Sequence, residues 1–137
     1  MTKRSRPIPT DRELEILRVL WDAGPSTVRQ VNDILGRRRP TGYTTALKLM
    51  QIMFEKGLLD RDESERTHVY RATVARANTE RRLVSQLLDA AFAGSAEALV
   101  MRALSARKVS AEELAKIRRL LDHIEGGNLD ADSKDGF

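Results

Sequence analysis

The segment LLDRDESERTHVYRATV, Leu58 to Val74, breaks the hydrophobic period of the chain and so limits what it can fold into. Leu59 and Arg61, then His68, Tyr70 and Ala72, alternate with Asp60 and Asp62, then Thr67, Val69 and Arg71, on either side of a polar turn from Glu63 to Arg66. A period of two around a polar turn predicts a β-hairpin. No Asn-Gly or Asp-Gly pair fixes the turn, so its loop type stays open. The segments before and after it carry a helical period instead.

Before the hairpin the pattern predicts three short helices. Thr10 with Glu13 forms a capping box, and Leu14, Leu17 and Trp21 follow at helical spacing until Gly24-Pro25 ends the first helix. Ser26 is placed to cap a second helix, with Val28, Val31, Ile34 and Leu35 in one stripe and Gly36 at its end. Arg37, Arg38, Arg39, Pro40 and Gly42 make a basic loop, either a phosphate-contacting arm or a solvated connection. The third helix is capped by Thr41, Thr44 or Thr45, buries Ala46, Leu49, Met50 and Met53, and ends near Gly57. Three tightly connected helices followed by a two-stranded hairpin have the order of a winged helix.

After the hairpin the chain returns to helix. Asn78 or Thr79 opens a segment with Leu83, Leu87, Leu88 and Phe92, and Gly94 breaks it. Ser95 opens another with Leu99, Val100 and Leu104. Ser110 and Glu113 form a further capping box, and Leu114, Ile117, Leu121 and Ile124 repeat at seam spacing for two heptads, too few to hold a coiled coil alone. These helices either pack on one another or on a second copy, and the second arrangement uses the seam better. The fold class is therefore mainly α with a small β-hairpin: a winged helix-turn-helix followed by a three-helix C-terminal region, a dimerisation region where its helices pack on a second copy. The expected boundaries are 1–9 for a disordered basic tail, 10–75 for the winged helix, 76–125 for the helical region and 126–137 for a disordered acidic tail.

Charge is permissive of a nucleic-acid partner without requiring one. The net charge is +4, and residues 1–72 hold 14 Lys and Arg against 10 Asp and Glu. With 41% hydrophobic and 32% charged residues the chain has a globular balance. It contains no apolar run of membrane-spanning length, and its basic start has no apolar core of a signal peptide. The absence of cysteine excludes disulfides and thiolate metal sites and fits a cytoplasmic protein.

The first turn of the third helix, Tyr43, Thr44 and Thr45, is poorly suited to helix propensity. A base-reading surface explains it: in a helix-turn-helix the N-terminal residues of the second motif helix meet base edges in the major groove. Threonine offers a hydroxyl for a phosphate or base and a methyl for thymine, and Lys48 reaches guanine acceptors or phosphate one turn on. The competing explanation makes the threonines alternative caps and Tyr43 a half-buried core aromatic.

The run GYTTALKLMQIMFEKGLLDRDESERTHVYRA resembles the recognition helix and wing of the BlaI/MecI family of bacterial winged-helix repressors, also called the penicillinase repressor family. TDRELEILRVLWDAGPSTVRQVNDIL resembles the family's first two helices, and LLDAAFAGSAEALVMRALSARKVSAEELAKIRRLLDHIE its C-terminal segment. YTT before an apolar helix, the EKGLL turn and HVYRA after the wing are specific in this order and spacing. The resemblance implies a homodimeric transcriptional repressor on double-stranded, palindromic operator DNA, often with TACA and TGTA elements, and a dimer interface in the C-terminal helices. It places Thr44, Thr45 and Lys48 at the groove-reading turn, Tyr43 and Gln51 beside it, and Arg66 and His68 on the wing, His68 otherwise being a strand-surface residue. Ile52 departs from the pattern, where an Arg is common.

In the resistance members of that family a membrane sensor protease, a further implied partner, triggers cleavage at an Asn-Phe pair. The matching pair here is Arg102-Ala103, which departs from it. The cysteine-rich metal motif of copper-responsive relatives has no counterpart. No enzyme activity, metal or cofactor is expected: His68 and His123 are the two histidines, and Glu112-Glu113 complement a helix start. The rival reading is a winged-helix protein-interaction module without specific DNA binding.

Overall fold

The computed structural model describes residues 7–37 and 42–127. Most of the two expected tails, and Arg38, Arg39, Pro40 and Thr41, lie outside the described residues. The elements run α1 (Asp11–Ala23), α2 (Val28–Leu35), α3 (Tyr43–Glu55), β1 (Leu59–Asp62), β2 (Val69–Ala72), α4 (Arg76–Phe92), α5 (Ala96–Ala106) and α6 (Ala111–Glu125). The chain is thus mainly helical with one antiparallel hairpin, a winged helix followed by a helical C-terminal region. No single described helix is long and apolar enough to cross a membrane. The chain divides between Leu87 and Leu88 into two compact units.

The first unit is built on α1 to α3. Both predicted bonds of the first capping box form: Glu13 N–H donates to Thr10 Oγ1 at 3.2 Å, and Thr10 N–H donates to Glu13 Oε1 at 2.9 Å. Ile16, Leu17, Val19 and Leu20 of α1 meet Val28 and Val31 of α2 and Ala46, Met50 and Met53 of α3 in one buried cluster. Leu14 and Trp21, expected as its stripe, are only partly buried against that core. Each fully buried aliphatic side chain contributes roughly 1.5–3 kcal/mol, which makes this cluster the main source of stability for the unit.

Two caps differ from expectation. Thr27, not Ser26, caps α2: Gln30 N–H donates to Thr27 Oγ1 at 3.1 Å and Thr27 N–H to Gln30 Oε1 at 2.8 Å. Ser26 is drawn elsewhere, because its N–H donates to the Tyr70 carbonyl at 2.9 Å and its carbonyl accepts from the Tyr70 N–H at 2.8 Å. A one-residue third strand thereby joins the α1–α2 turn to the hairpin. For α3 the cap is Gly42, with no side-chain bond, so neither Thr44 nor Thr45 serves that purpose.

The α3 exit explains Gly57. Its φ is +86°, a left-handed conformation that glycine adopts without steric cost. Leu58 N–H then reaches the Met53 carbonyl at 2.9 Å and Gly57 N–H the Phe54 carbonyl at 3.1 Å, the paired bonds of a Schellman ending. Leu58 and Met53 are both buried, which supplies the hydrophobic contact that accompanies that ending.

The hairpin pairs Leu59 with Ala72, Asp60 with Arg71, Arg61 with Tyr70 and Asp62 with Val69. Leu59 and Tyr70 close the core at 2% and 1% exposure. His68, expected on the strand, lies in the loop before it, since β2 starts at Val69. Helix α4 starts at Arg76, earlier than Asn78 or Thr79. Arg76 Nη1 pairs with Asp22 Oδ1 at 2.9 Å and its guanidinium lies over the Trp21 ring at 5.7 Å, while Trp21 Nε1–H donates to the Val74 carbonyl at 2.9 Å. These contacts to α1 set the helix start, and local propensity carries no trace of them.

In the second unit, the end of α4 breaks at Ala93 and Gly94, both with positive φ. Ser95 caps α5 by accepting from Ala98 N–H at 3.1 Å, and Ser110 caps α6 by accepting from Glu113 N–H at 3.0 Å. None of its described residues is fully buried.

Candidate nucleic-acid interface

The side of α3 opposite Ala46, Met50 and Met53 is open to solvent. Thr44, Lys48 and Gln51 follow one another at helical spacing along it, with Thr45 and Ile52 alongside, and all five are exposed. Lys48 pairs with no acid among the described residues. Its ammonium is therefore available to an external acceptor, and the threonine hydroxyls are free of capping duty. Tyr43 is 44% exposed, which removes it from the core, but it faces a different neighbour. The Arg29 guanidinium of α2 lies over its ring, 5.4 Å from the centroid.

The wing carries both signs of charge, and most of its cations are already engaged. Arg61 stacks on Phe54 of α3 at 4.0 Å, donates to the Tyr70 hydroxyl at 3.3 Å and pairs with Glu63. That pairing lowers the Glu63 carboxyl below its ordinary 4.5 and raises the Arg61 guanidinium. Asp60 is held below 3.8, first by the Arg61 backbone N–H and then by the Arg71 guanidinium, 2.8 Å away. The Ser64 hydroxyl and N–H lower Asp62 in the same way. Arg66 is exposed in the loop and pairs with no acid among the described residues, while His68 is half-buried. Arg61 ties β1 to α3, and no contact brings Arg66 or His68 onto the α3 face.

A small helical fold that presents hydroxyls and an unpaired lysine from one helix, beside a mixed-charge hairpin, has the composition of a duplex-reading surface. The sequence comparison decides the family. A profile of the penicillinase repressor family matches residues 9–123. The chain belongs to the penicillinase repressor family. It is similar to the transcriptional regulator BlaI of Mycobacterium tuberculosis in two strains, CDC 1551 / Oshkosh and ATCC 25618 / H37Rv. Each is 32% identical over 120 residues, covering 86% of this chain and 86% of the relative.

In this member of the family the residues expected at a subunit contact lie on α4, α5 and α6. Leu83, Leu88, Leu99, Leu104, Leu114 and Ile117 are partly buried. Leu87, Val100, Leu121 and Ile124 are exposed at 49%, 46%, 56% and 44%, together with Val84 and Met101. Arg102 and Ala103 are exposed within α5. Spacing alone does not mark Arg29 or Arg61. For Arg29 one signal was present, a cation in the first turn of a helix, where the helix dipole favours an acid.

Proposed function

We propose that this chain is a dimeric, sequence-specific repressor that reads a palindromic operator through the N-terminal turn of α3. The observation that carries the reading is the exposed row Thr44, Lys48 and Gln51, with Thr45 beside it, turned away from the core and committed to no intramolecular role. Threonine methyl and hydroxyl groups discriminate bases at about 1–3 kcal/mol per good contact, while Lys48 and the arginines supply the salt-dependent, sequence-independent attraction. Arg66 is the wing cation left over for a phosphate or the minor groove, and His68 is the second wing residue proposed there. The exposed apolar side chains of α4 to α6 support a second copy as their cover, since large apolar side chains left open to solvent favour association. In this proposal residues 10–75 read DNA and residues 76–125 dimerise, and two-fold symmetry of the protein matches two-fold symmetry of the operator.

The regulation proposed is occupancy alone. Arg102-Ala103 departs from the Asn-Phe pair of the sensor-protease relatives and lies inside a helix, so the reading carries no cleavage step. Selection from a random duplex library at about physiological salt tests the whole proposal. Enrichment of two spaced, inverted half-sites is the expected result. Duplex retained without an enriched motif overturns sequence-specific reading, and no retention by folded protein favours a protein-interaction module.

A further inference from the structure

Arg29 occupies the first turn of α2, where the helix dipole disfavours a cation, and no described acid pairs with it. Its placement is nevertheless defined, because its guanidinium rests over the ring of Tyr43, the first residue of α3, at 5.4 Å. Both residues are exposed, so the contact adds little to the core. A guanidinium placed over an aromatic face keeps its N–H edge available for hydrogen bonds in its own plane. Gln30, next to it, is turned back to close the Thr27 cap, which leaves Arg29 as the outward-facing donor of that turn.

We propose that Arg29 is a positioning residue for DNA reading. Held by Tyr43, its N–H edge grips a backbone phosphate beside the half-site and so fixes the angle at which Thr44 and Lys48 enter the groove. The assignment rests on the function proposed above and adds the group that sets its register. Phosphate contacts of this kind orient a protein on the duplex without reading sequence, and a planar fork suits a phosphate better than a point charge does. Tyr43 then acts through Arg29 and contributes by its ring, not its hydroxyl.

The test is binding of the full-length protein to its selected operator and to a generic duplex across a salt series. The variants are Arg29→Gln, Arg29→Lys, Tyr43→Phe, Tyr43→Leu and the pair Arg29→Gln with Tyr43→Leu. Thermal melting establishes that each is folded. Arg29→Gln is expected to weaken both duplexes about tenfold and to lower the salt slope by about one per protomer. Arg29→Lys recovers the slope but not the operator affinity, and Tyr43→Phe, which keeps the ring, weakens operator binding less than Tyr43→Leu does. Tyr43→Leu weakens operator binding alone but adds nothing once Arg29→Gln is present. Multiplying effects in the double variant, or an Arg29→Gln protein with unchanged affinity and slope, overturn the assignment. If the unaltered protein retains no duplex, the functional reading falls as well, whereas loss confined to the Arg29 prediction leaves that reading standing.

Discussion

Glu13 Oε2 accepts from Lys56 Nζ at 2.6 Å, which joins the first turn of α1 to the end of α3. Glu13 is 2% exposed and its other oxygen closes the α1 capping box. One side chain therefore serves a cap and an ion pair. Lys56→Met is expected to lower stability by about 2 kcal/mol, less than for a fully dry pair because the lysine is a third exposed. Glu13→Gln keeps a group able to complete the box, whereas Glu13→Ala removes both bonds and should cost about 1 kcal/mol more. Urea unfolding midpoints of the three variants check the order.

The double change Thr44→Ala with Thr45→Ala separates reading from folding. Neither side chain caps α3, so the melting temperature should stay within a few degrees of the original, about the effect of an ordinary surface change. Operator preference should fall about 10- to 100-fold while binding to generic duplex persists. Competition of the two duplexes for one sample measures both, and an undiminished preference would remove α3 from the reading role.

A charge in the C-terminal apolar surface tests dimerisation. Leu121 is 56% exposed in the single chain, so Leu121→Asp has no intramolecular reason to unfold α6. The expected outcome is a folded monomer in sedimentation with weakened operator affinity. A variant that remains a dimer places the interface elsewhere.

Acid should loosen the wing. Asp60, Asp62 and Glu63 have lowered pKa values in the folded chain, so the unfolded chain binds their protons more readily. Their contribution is complete above the ordinary values of 3.8 and 4.5 and is lost as pH falls through the lowered folded values. Unfolding midpoints should be flat above about pH 5 and decline below about pH 4, with a shallower decline in Asp60→Asn. Carboxyl chemical shifts across the same titration report each group directly.

Much of the fold was legible because the chain uses period plainly. The Val28 and Val31 stripe, the Met50 and Met53 stripe and the alternation through Leu59 and Tyr70 each bury the face that spacing assigns. What spacing could not reveal are choices made between elements. Ser26 and Thr27 are equal as caps by residue type, and only pairing of Ser26 with Tyr70 decides between them. The start of α4 follows from Arg76 meeting Asp22 and Trp21, far away in sequence. In the candidate site, Thr44, Lys48 and Gln51 were legible as the side opposite a core stripe. The stack of Arg29 on Tyr43 was not, since it depends on how α2 crosses α3.

The Ser26–Tyr70 bridge has a consequence for synthesis. Its two backbone bonds, and the Trp21–Val74 bond spanning 53 residues, attach the end of α1 and the turn after it to a segment translated later. Three helices emerging from the ribosome carry a cluster that still lacks Leu59 and Tyr70 as its cover. Vectorial folding of this head therefore waits for the hairpin, and a chain halted ahead of Tyr70 leaves that apolar surface uncovered.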